Sequence, residues 1–225
     1  MLNGIIIAID GPAAAGKSTI AKKIAQKLNY TYIDTGAMYR ALTHKAIQLD
    51  INLNSDHDLT ALLENTDIHL KPDGDNQAVL IDGIDCSEEI RSHEVTAGVS
   101  AVATHMSVRK LMVEKQRELA TGTGVVMDGR DIGTAVLPKA ELKIFMTASV
   151  DERAERRFIE NESRGIYTPL EQLKQEIEKR DQSDSERAVS PLKMADDAVL
   201  VDTTSMTIDQ VVDKVIVLAE MRMQP

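Results

Sequence analysis

Gly11-Pro12-Ala13-Ala14-Ala15-Gly16-Lys17-Ser18, followed by Thr19, fits the pattern G-x-x-x-x-G-K-[ST]. Such a loop aims its backbone N–H groups, and the N-terminus of the helix behind it, at phosphate oxygens. Its glycines allow backbone geometry that a Cβ would obstruct. Lys17 reaches the β- and γ-phosphates, and the Ser18 hydroxyl ligates Mg²⁺. A chance match in a chain of this size is on the order of one in a hundred. Here the motif also follows an apolar run, IIIAID, and opens a helical pattern. The reading is a site for a nucleoside triphosphate rather than a bare glycine turn.

Further polar residues exceed what a phosphate loop needs. Thr35 and Arg40 stand in DTGAMYR, and Asp128, Arg130 and Asp131 stand in VVMDGRDIG, where a buried strand emerges at its carboxyl end. That edge of an open α/β sheet is where ligands sit. DERAERR places Arg153, Arg156 and Arg157 on one side of a helix, and KRDQSDSER brings Arg180, Asp184 and Arg187 within about two turns. Each alone reads as a solvated salt bridge. Together, at sheet edges and loops, they suit phosphoryl transfer, which needs many cations to gather charge. Asp10 and Asp128, at strand ends beside the loop, are candidates to hold Mg²⁺ through water, or to act as structural caps. The five histidines show no metal-ligand spacing, and no N-K-x-D guanine-reading motif is present.

These residues need a scaffold, and the hydrophobic pattern supplies one. Residues 5–10 read as a strand buried on both faces, and 17–28 as an amphipathic helix with Ile20, Ile24 and Leu28 on one side. Tyr30 to Ile33 reads as a short strand before a helix over DTGAMYRALTHKAIQL. Residues 67–82 are two alternating runs around Pro-Asp-Gly-Asp-Asn, a hairpin signal. An insertion over about 63–95 with its own antiparallel sheet follows from it. Helices at 93–104 and 107–120 come next, the second with Ser107 as N-cap and Gly122 and Gly124 after its end. Strands at 125–128, 142–148 and 198–204 alternate with helices at 151–163, 169–184 and 207–220. The fold class is α/β: a three-layer phosphate-loop fold, a parallel sheet with helices on both faces, in one domain over 1–225.

Composition narrows the chemistry. The 225 residues are 43% apolar, enough for a real core, and with two Phe, four Tyr and no Trp the aliphatic residues and Met must fill it. A net charge of −10 argues against DNA or RNA as partner, while local arginine clusters still allow a small anion. Cys86 is the sole cysteine, so no internal disulfide forms, which fits a reducing cytoplasm. No run is long enough to span a membrane.

IDGPAAAGKST, DTGAMYR, MDGRDIGT and KRDQSDSER, in this order, resemble the bacterial cytidylate kinases, in the nucleoside monophosphate kinase group. The resemblance covers about residues 4 to 220. It implies transfer of the γ-phosphoryl of ATP, with Mg²⁺, to CMP or dCMP in pyrimidine nucleotide metabolism, by a cytoplasmic monomer. It also implies a monophosphate-binding insertion and a short lid near 150–168. By position, Thr35 (often Ser in the family), Arg40 and Arg130 would hold the acceptor phosphate. Ser100, Arg109, Asp131 and Arg187 would surround the cytosine, Arg180 and Asp184 would lie near the ribose, and the three lid arginines would approach the transferring group. Cytosine presents an amino donor at N4 and acceptors at O2 and N3, so a carboxylate and an arginine suit it. Asp131 is therefore the expected base selector, because uracil would set a second acceptor against it. Competing readings are a same-fold kinase for UMP or a small metabolite, a nucleotide-dependent switch, and a purely structural phosphate-loop module.

Overall fold

The computed structural model describes residues 4–223 apart from Asp75, Thr123 and Arg164. β1 (Ile6–Asp10) is β-branched and almost wholly buried, as a strand covered on both faces must be. It feeds α1 (Lys17–Leu28), whose Ile20, Ala21, Ile24 and Ala25 form the buried stripe. Asn29 closes the helix in the left-handed region at φ 55°. β2 (Thr31–Asp34) follows, and Asp34 both ends it and caps α2 (Thr35–Gln48), accepting from Ala37 N–H at 2.8 Å.

The sequence reading leaves 50–62 without an element, and the structure has α3 (Asp56–Glu64) there. Ser55 caps it and Leu59, Leu62 and Leu63 bury its inner face. Those leucines at i, i+3 and i+4 carry the helical period, but the Asn/Asp-rich run before them has loop composition. β3 (Ile68–Asp73) and β4 (Asn76–Ile81) form the predicted hairpin, Ile68 opposite Ile81 and Asp73 opposite Asn76. Asp75 of the predicted turn lies outside the described residues. β5 (Ile84–Asp85) adds a third antiparallel strand.

α4 (His93–Val102) is capped by Ser92. α5 (Met106–Leu119) starts one residue before Ser107, which is therefore not its N-cap. The Asp56 carboxylate of α3 takes that role from outside, accepting from the Ser107 hydroxyl at 2.8 Å and from the Ser107 and Val108 N–H groups at 3.4 Å. An anionic oxygen at a helix N-terminus is favoured whichever element supplies it. The chain continues through β6 (Val125–Gly129), a π-helical turn over 132–136, β7 (Leu142–Thr147), α6 (Val150–Ser163), α7 (Leu170–Glu186), β8 (Val199–Asp202) and α8 (Ile208–Met223).

The main sheet is all parallel in the order β2-β6-β1-β7-β8. α1 and α8 cover one face with Ile20, Ile24, Val212 and Val215 over Ile7, Ile9 and Leu142. Met127, Ile33, Ile132 and Val136 fill the other side. A third core joins α2, α3, α4 and α5 to the small sheet through Leu42, Leu59, Val79, Val99 and Met112. Among the described residues the α6–α7 pair buries Ala154, Leu173 and Ile177, with Val150, Phe158 and Leu170 partly buried against them. Among the described residues no helix is long and apolar enough to cross a membrane.

Candidate functional site

β1 and β6 run side by side with Ile9 opposite Asp128 and Asp10 opposite Gly129, so their carboxyl ends open at one edge. A cleft of about 530 Å³ lies there, walled by the 11–18 loop, the start of α2, α4 and the α6–α7 pair. Gly11 is required on steric grounds, since a Cβ on it would lie 2.1 Å from the Met146 carbonyl oxygen of β7. Ala14 at φ 58° and Gly16 at φ 87° curl the loop around a concavity, the geometry that turns backbone N–H groups toward an anion. Ala13, Ala14, Gly16, Lys17, Ser18 and Thr19 face the cleft, while Gly11, Pro12 and Ala15 shape the loop behind it.

Lys17 crosses the loop to donate to Pro12 O at 2.8 Å. Burial, then the neighbouring Arg130, pull its ammonium down to about 7. Phosphate oxygens beside it would restore its charge. Ser18 Oγ donates to Asp128 Oδ2 at 2.9 Å, and the Tyr32 hydroxyl donates to Oδ1 at 2.7 Å. Burial, then the charge of Asp34, push the Asp128 carboxyl up to about 6. A buried carboxylate with a hydroxyl beside it is an incomplete oxygen donor set. It fits Mg²⁺, which takes one or two protein oxygens and fills its shell with water and substrate phosphates. No group of three or more His, Cys, Asp or Glu among the described residues makes an all-protein cage.

Asp10 has a different position. Its two oxygens accept from Ile132 N and Gly133 N, both at 2.7 Å, and it does not face the cleft. Burial pushes it up to about 6 even so. Of the two alternatives open in the sequence, the geometry is that of the structural cap.

The three arginines of the expected lid separate by partner. Arg153 is buried and donates to Ala148 O at 3.0 Å and Ala13 O at 3.2 Å, with Asp181 at 2.6 Å. Arg156 is held by Glu152 and by Thr203 Oγ1 and O. Only Arg157 of the three lines the cleft, and its buried Nε has no hydrogen-bond partner. Helical spacing could not separate the three, because it does not say which carbonyls the helix will pack beside.

All nine residues expected around the acceptor line this same cleft. Arg40 pairs with Asp34 at 3.0 Å, and its Nε is unpartnered. Burial pushes the Asp34 carboxyl up, but the Arg40 charge and the Ala37 N–H outweigh it and hold it below the usual range. Thr35 donates its hydroxyl to Asp128 O at 2.7 Å, so its proton is committed to the scaffold rather than offered to a phosphate. Arg109 donates to Asp131 Oδ2 at 2.5 Å, with the two residues 3% and 6% exposed. Arg187 lies 3.7 Å from Asp131 Oδ1, and Arg130 donates to Asp184 at 2.8 Å. Arg180 has an unpartnered Nε, and burial followed by Arg130 lowers its guanidinium to about 10.

Ten lining residues are absent from the candidates that the sequence offers, Tyr39, Val99, Thr96 and Arg91 among them. Tyr39 lies under Arg109, 5.8 Å from guanidinium to ring centroid, and Val99 and Thr96 bring α4 to the same wall. Arg91 projects from the insertion, anchored by Nε to Ser87 O at 3.2 Å. Tyr39 was visible beside Arg40 in DTGAMYR. Arg91 had only its sign as a signal, a lone cation after Glu88 and Glu89.

A cleft with a triphosphate cradle and a buried arginine–carboxylate pair in its wall can be compared with known proteins. The profile of the family described as cytidylate kinase matches residues 7–221. The chain is 58% identical over 222 residues to a cytidylate kinase of Geobacillus sp. (strain WCH70), covering 99% of each chain. It is 55% identical over 223 residues to one from Lysinibacillus sphaericus (strain C3-41), covering 99% of this chain and 100% of that one. Among solved structures, an uncharacterized protein from Eubacterium ventriosum shares the fold with a TM-score of 0.50 at 14% identity, over 96% and 98% of the two chains. Matched from end to end on both sequence counts, the chain belongs to the cytidylate kinase family.

Proposed function

We propose that this chain transfers the γ-phosphoryl group of ATP to CMP or dCMP, giving ADP and CDP or dCDP. The observation that carries the reading is the Arg109–Asp131 pair, buried in the wall of the same cleft that the phosphate loop lines. Asp131 retains lone pairs for the N4 amino group of cytosine, and Arg109 and Arg187 offer donors to its ring acceptors. Arg40 and Arg130 hold the acceptor phosphate, with Arg91 approaching from the insertion. Ser100 lies on the α4 wall beside the base, and Arg180 and Asp184 flank the sugar.

The acceptor oxygen belongs to a phosphate already ionised near neutral pH, so no strong general base is needed. Catalysis is in-line positioning and charge stabilisation. The loop N–H groups and Lys17 hold the β- and γ-phosphates, and Arg157, the lid arginine with an uncommitted Nε, meets the group in transfer. Mg²⁺ arriving with ATP would be held by the Ser18 hydroxyl and, through water, by Asp128, and would neutralise charge on the phosphates. The two anions must meet while water is kept out, or ATP is merely hydrolysed. The insertion over about 63–95 and the lid over about 150–168 are the parts that close over both substrates. The same reading has a monomer working on small nucleotides, not nucleic acid, in the cytoplasm, where a lone thiol such as Cys86 stays reduced.

The test is ADP formation from Mg-ATP with CMP, dCMP, UMP, AMP, GMP or dTMP supplied singly, beside a no-acceptor control. Fast turnover with CMP and dCMP, slow with UMP and near none without acceptor, is the expected pattern. Hydrolysis indifferent to the acceptor would favour a switch-like ATPase instead.

A further inference from the structure

β2 is an edge strand of the main sheet. Alternate residues of an edge strand turn N–H and C=O groups away from the ladder, where they have no strand to meet. Tyr32 and Asp34 do so here, and one side chain of the small sheet satisfies both. Gln77 Nε2 donates to Tyr32 O at 2.5 Å, and Gln77 Oε1 accepts from Asp34 N at 3.2 Å. In a parallel ladder a residue donates to the carbonyl of residue i and accepts from the N–H of residue i+2 on its neighbour. The carboxamide of Gln77 reproduces that pattern, a single residue of a sixth strand made by a side chain. It sits on β4, so it joins the insertion to the main sheet. The flanking tie is weaker, an exposed Lys22 Nζ to Asn76 Oδ1 contact at 3.3 Å.

We infer that Gln77 is a positioning residue for the acceptor nucleotide, an inference that rests on the acceptor site proposed above. The N–H it engages belongs to Asp34, which caps α2 and pairs with Arg40 at 3.0 Å. The element it anchors leads on to Arg91 and to Ser100, which face the cleft from the other side. The amide thus sets the distance between two walls of the acceptor site. The phosphate loop hangs from β1 and α1, which Gln77 does not bond, so it reaches the ATP site only at one remove, through the Tyr32 hydroxyl on Asp128.

The experiment compares Gln77→Leu and Gln77→Glu with the parent protein. Leu removes both hydrogen bonds; Glu keeps the acceptor but sets a carboxylate oxygen against the Tyr32 carbonyl. KM is measured for CMP at saturating Mg-ATP and for ATP at saturating CMP, and amide hydrogen exchange is followed at Asp34, Ile7 and Val126. Loss of one to two ordinary hydrogen bonds predicts a rise in CMP KM of about tenfold. ATP KM should stay within about twofold, and Asp34 exchange should quicken about tenfold while the two central-strand amides keep their protection. CMP KM within twofold of the parent in both variants, or CMP and ATP KM rising together, would overturn the inference. A parent without CMP-dependent turnover would sink the proposed function instead, and unchanged Asp34 exchange would then dispose of the anchor as well.

Discussion

Asp131→Asn tests base selection most directly. Asp131→Ala would leave the buried Arg109 without its paired carboxylate, its remaining hydrogen bond being to Ala103 O at 3.1 Å, and breaking a buried pair in that way costs about 3–5 kcal/mol. The Asn variant keeps the shape and one acceptor for Arg109, whose side chain is 3% exposed. It loses the charge, at about 1–3 kcal/mol of stability, which for a chain of this length lowers Tm by roughly 3–10 °C. The effect on selection is separate. With cytosine, an N–H of the introduced carboxamide can oppose the N4 amino group, and an unmatched buried donor costs about 1–3 kcal/mol. With uracil, the same N–H finds the O4 acceptor and recovers a similar amount. The CMP-to-UMP ratio of kcat/KM should therefore fall by roughly two orders of magnitude, from losses on one side and gains on the other. Initial rates of ADP formation with each nucleotide, read at 25 °C, give the ratio, and a thermal melt gives the stability. A lowered Tm with the ratio unchanged within twofold would reduce Asp131 to a brace for Arg109 and refute the selection argument.

Three other outcomes follow from the same geometry. Arg157→Ala should cut kcat about 10²- to 10³-fold with Tm nearly unchanged, whereas Arg153→Ala, stripping a partner from Asp181 and a brace from the phosphate loop, should cost several degrees of Tm; equal Tm losses would contradict the division. Asp128 is pushed up to about 6, so the folded chain holds an extra proton between 3.8 and about 6. Its contribution is full below the lower value and lost as pH rises through the upper one. Asp128→Asn, relieved of that buried charge, should melt roughly 2–6 °C higher at pH 8 without nucleotide, lose the gain by pH 4, and turn over at least a hundredfold more slowly; a lower Tm at pH 8 would mean that Ser18, Tyr32 and Lys17 need the charge. Gly129→Ala places a Cβ 2.6 Å from Thr35 Oγ1 and Ile132 Cδ1, and should destabilise by about 1–3 kcal/mol while raising CMP KM; an unchanged melt would show that Ile132 repacks freely.

What the sequence made legible divides by the range of the interaction. The parallel strands, the hairpin and the phosphate loop are written locally, in β-branched runs, a turn segment and fixed glycines. The nine acceptor-side residues came from four short motifs and from the resemblance that their order supports. The sequence did not carry the partners. Asp10 and Asp128 look alike at the ends of adjacent strands, yet one caps a turn 122 residues on and the other faces the cleft. Thr35 and Arg153 are spent on carbonyls brought to them by tertiary packing. The capping of α5 by Asp56 spans 51 residues, beyond any window a propensity argument uses. Gln77 reads as an ordinary polar residue of a hairpin, because its role depends on a strand 43 residues earlier.

Among the described residues, nine lysine and arginine side chains face the cleft against five Asp and Glu, a local formal charge of +4 within a chain of −10. That surplus bears on how the bound reactants and products compare. Moving a phosphoryl group from one nucleotide to the other leaves their summed charge the same, so the cleft grips the reactant pair and the product pair about equally. The cleft charge thus favours neither bound pair, and, as for any catalyst, the ratios of the free nucleotides decide which way the exchange runs. What the charge does oppose is escape. Both products leave against the same attraction that gathered the substrates.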